Sequence, residues 1–291
     1  MKKKAKRIKT TFACMMILTG LLIFSYPFLS SYLAARNASM VVQEYTESVQ
    51  TLEKEQIDAI KEAARAYNEQ LNSIVDKNAQ GEGEVHSSYY DLSQIGEAMG
   101  YISIPKIDLS LPVYEGVDAE VLARGIGHIP ETSYPLGGES THTALSGHRG
   151  LAEAELFTNL DKVAVGDHFY LHILDEVLAY QVDLILVVEP EEVSVLDIVE
   201  GEDLCSLITC TPLGINSHRL VVRGMRVEYT GEEEVVDNSG VLYQSVHTGT
   251  AVRRFVEIWP WLALAALLAI GAEAMLMLAL LKALRQRRED D

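Results

Sequence analysis

The sequence predicts a mainly β domain, a closed barrel or a sandwich, preceded by a helical segment and held between two apolar spans. Three observations carry this. Between Gly100 and Tyr229 the chain alternates short β-branched and aromatic runs with turn residues. Upstream, residues 39–77 place apolar side chains at three- and four-residue spacing among Glu and Lys. At either end an apolar stretch is long enough to cross a bilayer, which takes roughly 20 residues.

The amino-terminal stretch covers 26 residues between Lys9 and Arg36. Six of the first nine residues are Lys or Arg, which predicts a cytoplasmic amino terminus. A cleaved signal peptide with its cut near Ala34-Ala35 is the other reading. Its apolar region would exceed the usual h-region of about 7–15 residues. The second stretch, Ile258 to Leu281, opens on Trp259 and Trp261 and closes on Lys282, Arg285, Arg287 and Arg288. Both termini are then cytoplasmic and residues 37–250 external. Glu273 lies inside this span, either as an inter-helix contact or as a protonated, protein-facing carboxyl.

Helix is expected over residues 39–77, with the clearest periodicity from Leu52 to Tyr67. A polar, Gly-containing loop follows at 78–88. Strands are expected at Tyr101–Ile104, Leu111–Tyr114, Thr143–Ser146, His168–Leu174, Leu178–Val188, Leu204–Cys210 and Arg219–Tyr229, with short helices at Asp118–Arg124 and near Glu155–Leu160. Residues 230–257 read as a Gly-, Glu- and Ser-rich linker. The organisation is therefore 1–36 basic end and first span, 37–95 helix and loop, 96–229 β domain, 230–257 linker, 258–281 second span and 282–291 tail.

The chain carries a formal charge of −18. Residues 1–36 hold net +7 and residues 251–291 net +1, which leaves −26 for the part between. An acidic domain of that size lacks the basic face a nucleic-acid partner requires. Three cysteines are too few for a disulfide framework.

Cys210 ends an apolar run in I-T-C-T-P, where Pro212 stops the strand and leaves the thiol at an edge. Cys205, five residues earlier, faces the other side and reads as a small buried hydrophobe. Cys14 lies in the first span. A thiol nucleophile needs a proton carrier and a group that holds the developing oxyanion. His148, in L-S-G-H-R-G, follows a strand run and stands between glycines, which suits projection into a cleft. His128 and His142 read as structural. His168 and His172 share the polar side of one strand and lack a third ligand, so no metal site and no cofactor is expected. Arg219 opens the next strand, nine residues after Cys210. A hairpin over P-L-G-I-N-S-H brings its guanidinium back beside the thiol, as an oxyanion partner or as a plain surface arginine.

Taken together, these segments resemble the sortases. The thiol strand appears as L-I-T-C-T-P, the arginine strand as N-S-H-R-L-V-V-R-G and the histidine segment as T-H-T-A-L-S-G-H-R-G; G-Y-I-S-I-P-K-I and L-P-V-Y-E-G match the first two strands. G-G-E-S-T-H, L-F-T-N-L-D-K, L-A-Y-Q-V-D and the second span are similar to class C, the pilin-polymerising sortases of Gram-positive bacteria. The resemblance implies an eight-stranded barrel and transpeptidation at an LPXTG-like sorting signal, with His148, Cys210 and Arg219 on the family's catalytic positions. It implies pilin or surface-protein substrates, a lysine or cell-wall amine as acceptor, and a membrane setting. Class C members carry an aspartate–proline–aromatic lid. Here I-V-D-K-N-A keeps the acid at Asp76 but puts Lys77 and Asn78 where the proline and aromatic would stand. That departure predicts a loosely held segment at 75–88.

Other readings fit less well. A papain-like protease places cysteine before histidine, the reverse of the order here, and no caspase-type Q-A-C-x-G segment occurs. Serine acyl transfer would need a lysine partner for Ser146 or a G-x-S-x-G elbow. A housekeeping sortase that anchors surface proteins to peptidoglycan is the nearest enzyme alternative. A membrane-tethered β-barrel adhesin without activity is the non-enzyme alternative.

Overall fold

A computed structural model describes residues 2–78, 95–151, 154–236 and 242–244. The second span, Glu273 and the carboxy-terminal tail lie outside the described residues, as do residues 79–94.

Two long helices lead into the domain. Helix α1 runs from Lys2 to Thr51 and α2 from Lys54 to Asn78. The sequence predicts one helix over 39–77, but the structure breaks it at Leu52–Glu53. The side-chain oxygen of Gln56 accepts from the Glu53 N–H at 2.9 Å, which starts α2 in the manner of a capping box. Upstream, α1 is continuous from the apolar stretch into residues 38–49. Its first half is apolar and long enough to cross a membrane.

Eight strands follow and close into a barrel. They are β1 (Ala98–Ile104), β2 (Leu109–Glu115), β3 (Ile126–His128), β4 (Thr141–Ser146), β5 (His168–Ile173), β6 (Glu176–Val188), β7 (Asp203–Thr211) and β8 (His218–Val227). Their order around the barrel is β1-β2-β3-β4-β7-β8-β6-β5. The β2–β3 and β4–β7 pairs are parallel and the others antiparallel. The sequence reading missed β3, a strand of three residues behind helix α3 (Ala119–Arg124), which Asp118 caps by accepting from the Glu120 and Val121 N–H groups. The helix expected near Glu155–Leu160 is a 3-10 segment, Leu156–Lys162. The stretch from 230, read as plain linker, contains a small antiparallel pair, β9 (Glu234–Val236) and β10 (Leu242–Gln244). Its β-branched and aromatic residues flank N-S-G, a hairpin signal that the polar composition obscures.

Closure removes the edges that an open sheet would leave unpaired. The main core joins residues such as Ile102, Val113, Phe169, Leu171, Tyr180, Leu207 and Val222 to Tyr45, Val49, Ile57 and Ala64 of the two long helices. Tyr45 donates its hydroxyl to the Met99 carbonyl at 2.9 Å and accepts from the Leu174 N–H at 2.7 Å. Lys61, buried on α2, reaches Asp175 at 2.6 Å and Glu176 at 2.5 Å in the turn between β5 and β6. Asn68 exchanges two hydrogen bonds with the Tyr134 backbone. A polar residue in each helix thus fixes the register of helix on barrel, since breaking any of these contacts strands a buried group.

His128 and His142 are structural, as their sequence setting suggests. His128 lies among Ser133, Thr132 and the Tyr134 ring, fully covered. His142 bridges the Asp197 carbonyl and the Ser206 hydroxyl. His172 packs on Tyr101 and meets Ser103 and Glu233. Burial pushes the His128 imidazole down to about 4 and lowers His142 in the same direction. The unfolded chain takes up a proton at His128 below about pH 6.5, whereas the native state stays neutral until about pH 4. Stability is therefore complete above that upper value and declines as pH falls between the two. Urea unfolding at pH 7.5 and pH 4.5 should differ by on the order of 3 kcal/mol from this group. By NMR the His128 ring should show no titration down to pH 5; a midpoint near 6.5 would contradict the burial argument.

Candidate active site

Strand β7 separates two apolar clusters. Cys205 and Leu207 point into the main core, opposite Gly224 and Val222 of β8. Ile208 points the other way and joins Ala144 and Val221 in a second cluster. Ile129, Leu186, Val188, Val195 and Leu196 pack around that cluster. Side chains alternate along a strand, so Cys210 rises from the same face as Ile208. The second cluster is the floor beneath the thiol.

Arg219 pairs directly with Cys210 across the antiparallel β7–β8 ladder, and Val188 of β6 flanks it on the far side. Its guanidinium donates to the carbonyls of Asn216 at 3.4 Å, in the turn before β8, and of His218 at 3.2 Å, the first residue of β8. Among the described residues no carboxylate forms an ion pair with it. His218 turns instead to Glu189 at 3.3 Å and links the β7–β8 turn to the segment after β6.

His148 approaches from the other side. The parallel β4–β7 register runs to Ser146 opposite Ile208. It continues through the Gly147 N–H, which donates to the Ile208 carbonyl at 3.0 Å. The Thr209 hydroxyl donates to the Gly147 carbonyl at 2.7 Å. Two residues past the last pair, His148 is level with Cys210. A Cβ on Gly147 would meet Ile126 at 2.6 Å and Phe157 at 2.7 Å, so this position faces the main core with no room for a side chain. His148, the next residue, faces the floor side. Its carbonyl accepts from the Phe157 N–H at 3.0 Å. By this register His148 lies just past the end of β4, beside the end of β7 that carries Cys210 and its β8 partner Arg219, and each of the three is half-buried.

The two thiols of β7 differ in setting. Cys205 is fully covered, and burial pushes its thiol well above the ordinary range. Cys210 is partly open. Asp76, Lys77 and Asn78 end helix α2, with helical backbone through Asn78. The rest of the segment expected to close the site lies outside the described residues. Sequence reasoning missed several neighbours of the site. Arg149 donates to the Thr211 hydroxyl at 3.1 Å and to Asp161 at 2.5 Å. Gly150, at φ +77°, leaves room for Leu213 of the β7–β8 turn. The one signal for these residues is that Arg149 and Thr211 each adjoin a site residue. Among the described residues no group of three or more His, Cys, Asp or Glu side chains gathers to hold a metal.

Comparison with known proteins identifies the family. Residues 102–227 match the Sortase domain family. Three solved structures are similar over nearly their whole length. One is sortase C of Streptococcus pneumoniae, studied for catalysis and pilin substrate specificity; it is 42% identical, and the match covers 65% of this chain and 97% of that one at a TM-score of 0.57. A lid mutant of Streptococcus agalactiae sortase C1 is 43% identical, over 65% and 98% of the two chains, at 0.60. Clostridium perfringens sortase C with the C-terminal cell wall sorting motif is 40% identical, over 66% and 100%, at 0.58. The chain belongs to the sortase family of transpeptidases, and class C sortases are its structural neighbours.

Proposed function

We propose that this chain is a membrane-anchored, pilin-polymerising sortase that cleaves an LPXTG-like signal and joins the acyl product to a lysine amine. The observation that carries the reading is the direct pairing of Cys210 with Arg219 on β7 and β8, with β4, whose end leads into His148, on the other side of β7. In the first step Cys210 passes its thiol proton to His148, and the sulfur attacks the carbonyl carbon of the Thr–Gly bond. The carbonyl oxygen takes up negative charge, which the Arg219 guanidinium stabilises. Collapse breaks the C–N bond, and His148 delivers a proton to the departing glycine amine. A thioester remains on Cys210. In the second step a lysine amine attacks that thioester, His148 accepts its proton, and the thiol is released. A cell-wall amine in place of lysine ends polymerisation by the same chemistry.

Several features support this reading over surface anchoring alone. The similar structures are class C enzymes, one of them bound to a sorting motif and one studied for pilin specificity. Among the described residues the hydrogen bonds of the Arg219 guanidinium go to the backbone carbonyls of Asn216 and His218, which leaves donors for a substrate oxygen. The apolar part of α1 suits an anchor that holds residues 37–250 outside the membrane; the second span at 258–281 is proposed from the sequence alone. A lid without its proline and aromatic would keep only the acidic contact of Asp76. An exposed ion pair with Arg219 contributes about 0–1 kcal/mol, so the closed state is weakly held.

The Cys210→Ala variant should lose all cleavage of an LPXTG-type peptide. His148→Ala and Arg219→Ala should each cost at least about 10²–10³ in kcat/KM. Full activity in Cys210→Ala would end the cysteine mechanism.

Brief treatment of the folded protein with a small alkylating agent, followed by mass mapping, should mark Cys210 and spare Cys205. Asp76→Ala should change the Cys210 rate less than about fivefold. Protection of Cys210 that Asp76→Ala strongly relieves would show a tightly closed lid.

Reporters fused to either terminus should be cytoplasmic, with residues 37–250 open to external protease. An external carboxy terminus would remove the second span.

A further inference from the structure

We propose that Arg149 is a positioning residue: it clasps the turn that carries His148 to the strand end that carries Cys210. The inference rests on the assignment of His148 and Cys210 as the reacting pair. The Arg149 side chain is only 8% exposed, although the residue follows His148 on a surface turn. One guanidinium nitrogen donates to the hydroxyl of Thr211, the residue after Cys210, at 3.1 Å. Another donates to Asp161 at 2.5 Å. Asp161 belongs to the 3-10 segment that also binds the His148 turn from behind. Phe157 donates to the His148 carbonyl, and the Thr158 hydroxyl accepts from the Gly150 N–H at 3.0 Å. One planar cation therefore ties together the three pieces of chain that fix where the imidazole stands relative to the sulfur.

Its burial has a physical cost. A guanidinium withdrawn from water depends on the donors it engages; here Nη1 and Nη2 are engaged, while the buried Nε has no partner among the described residues. Asp161 is about half exposed and satisfies one side. The other bond goes to a neutral hydroxyl that would otherwise be free to rotate. Packing alone would be met by an apolar side chain at 149. A rigid fork between Asp161 and Thr211 instead sets the spacing of two strand ends. Proton transfer needs the donor and acceptor within hydrogen-bond reach, and a displacement of about 1 Å can cost about 10²-fold. Among the described residues the hydrogen bonds and ion pair of the Arg149 side chain go to Thr211 and Asp161 rather than to the sulfur or the imidazole, so it acts through the chain on both sides of them.

The test uses the full chain in detergent micelles. Thr211→Val removes the hydroxyl and keeps the shape; Arg149→Lys keeps the charge and loses the fork. Each should lower kcat on an LPXTG-type peptide by roughly 10–100-fold, with KM within about twofold. The double variant should be little worse than the worse single one, because both break one contact. Thr211→Ser should restore the wild-type rate. Amide hydrogen exchange should quicken at Phe157 and Gly150 in both single variants. A kcat near wild type in Thr211→Val, beside an inactive Cys210→Ala, would overturn the clasp and leave the catalytic assignment intact. So would multiplicative losses in the double variant. If the wild-type protein cleaves no such peptide, the catalytic assignment fails by itself. Unchanged exchange at Phe157 and Gly150 would then still overturn the clasp.

Discussion

Strand β7 is bonded on one side to a parallel partner and on the other to an antiparallel one, and the site depends on that arrangement. An antiparallel ladder sets residues opposite each other through a short turn, so Cys210 and Arg219 meet within one hairpin. A parallel ladder cannot be closed by a tight turn. His148 therefore arrives from more than sixty residues upstream, and β5 and β6 are built in the interval. The site assembles only when the barrel closes, because its members come from a local and a long-range pairing that share one strand.

The floor beneath the thiol follows from the same strand. Alternation sends Leu207 inward and Ile208 outward, and both faces find apolar neighbours. A strand buried on two sides cannot slip by one residue without exchanging core and floor. The register that sets Cys210 beside Arg219 is thus fixed by hydrophobic packing, with no help from the reacting groups. The long helices extend this rigidity outward. Tyr45 ties α1 to the ends of two barrel strands, and α1 runs unbroken from there into its apolar half.

Much of this was legible in the sequence, and the exceptions have physical reasons. Seven strands could be read because each carries enough β-branched residues to show a period. β3 could not, since three residues contain no period at all. The break at Leu52–Glu53 is set by a side-chain cap, which hydropathy does not register. Cys210, His148 and Arg219 were each legible from position at a strand end. What the spacing could not supply was the neighbour relation of His148 to Cys210, because the parallel pairing of β4 with β7 leaves no local trace. Arg149 and Thr211 escaped for a related reason. Their significance lies in a bond across 62 residues of sequence.

The alternation along β7 also decides how the enzyme responds to oxidants. Cα atoms five residues apart on a strand lie roughly 17 Å from one another, and here the two side chains leave by opposite faces. A disulfide needs Cα atoms within about 7 Å. Cys205 can therefore never act as a resolving thiol for Cys210. A sulfenic acid formed on Cys210 must be rescued by a thiol from another molecule, or it advances toward the sulfinic state, which is irreversible for most proteins. The geometry that keeps the buried thiol inert leaves the open one without an internal means of repair.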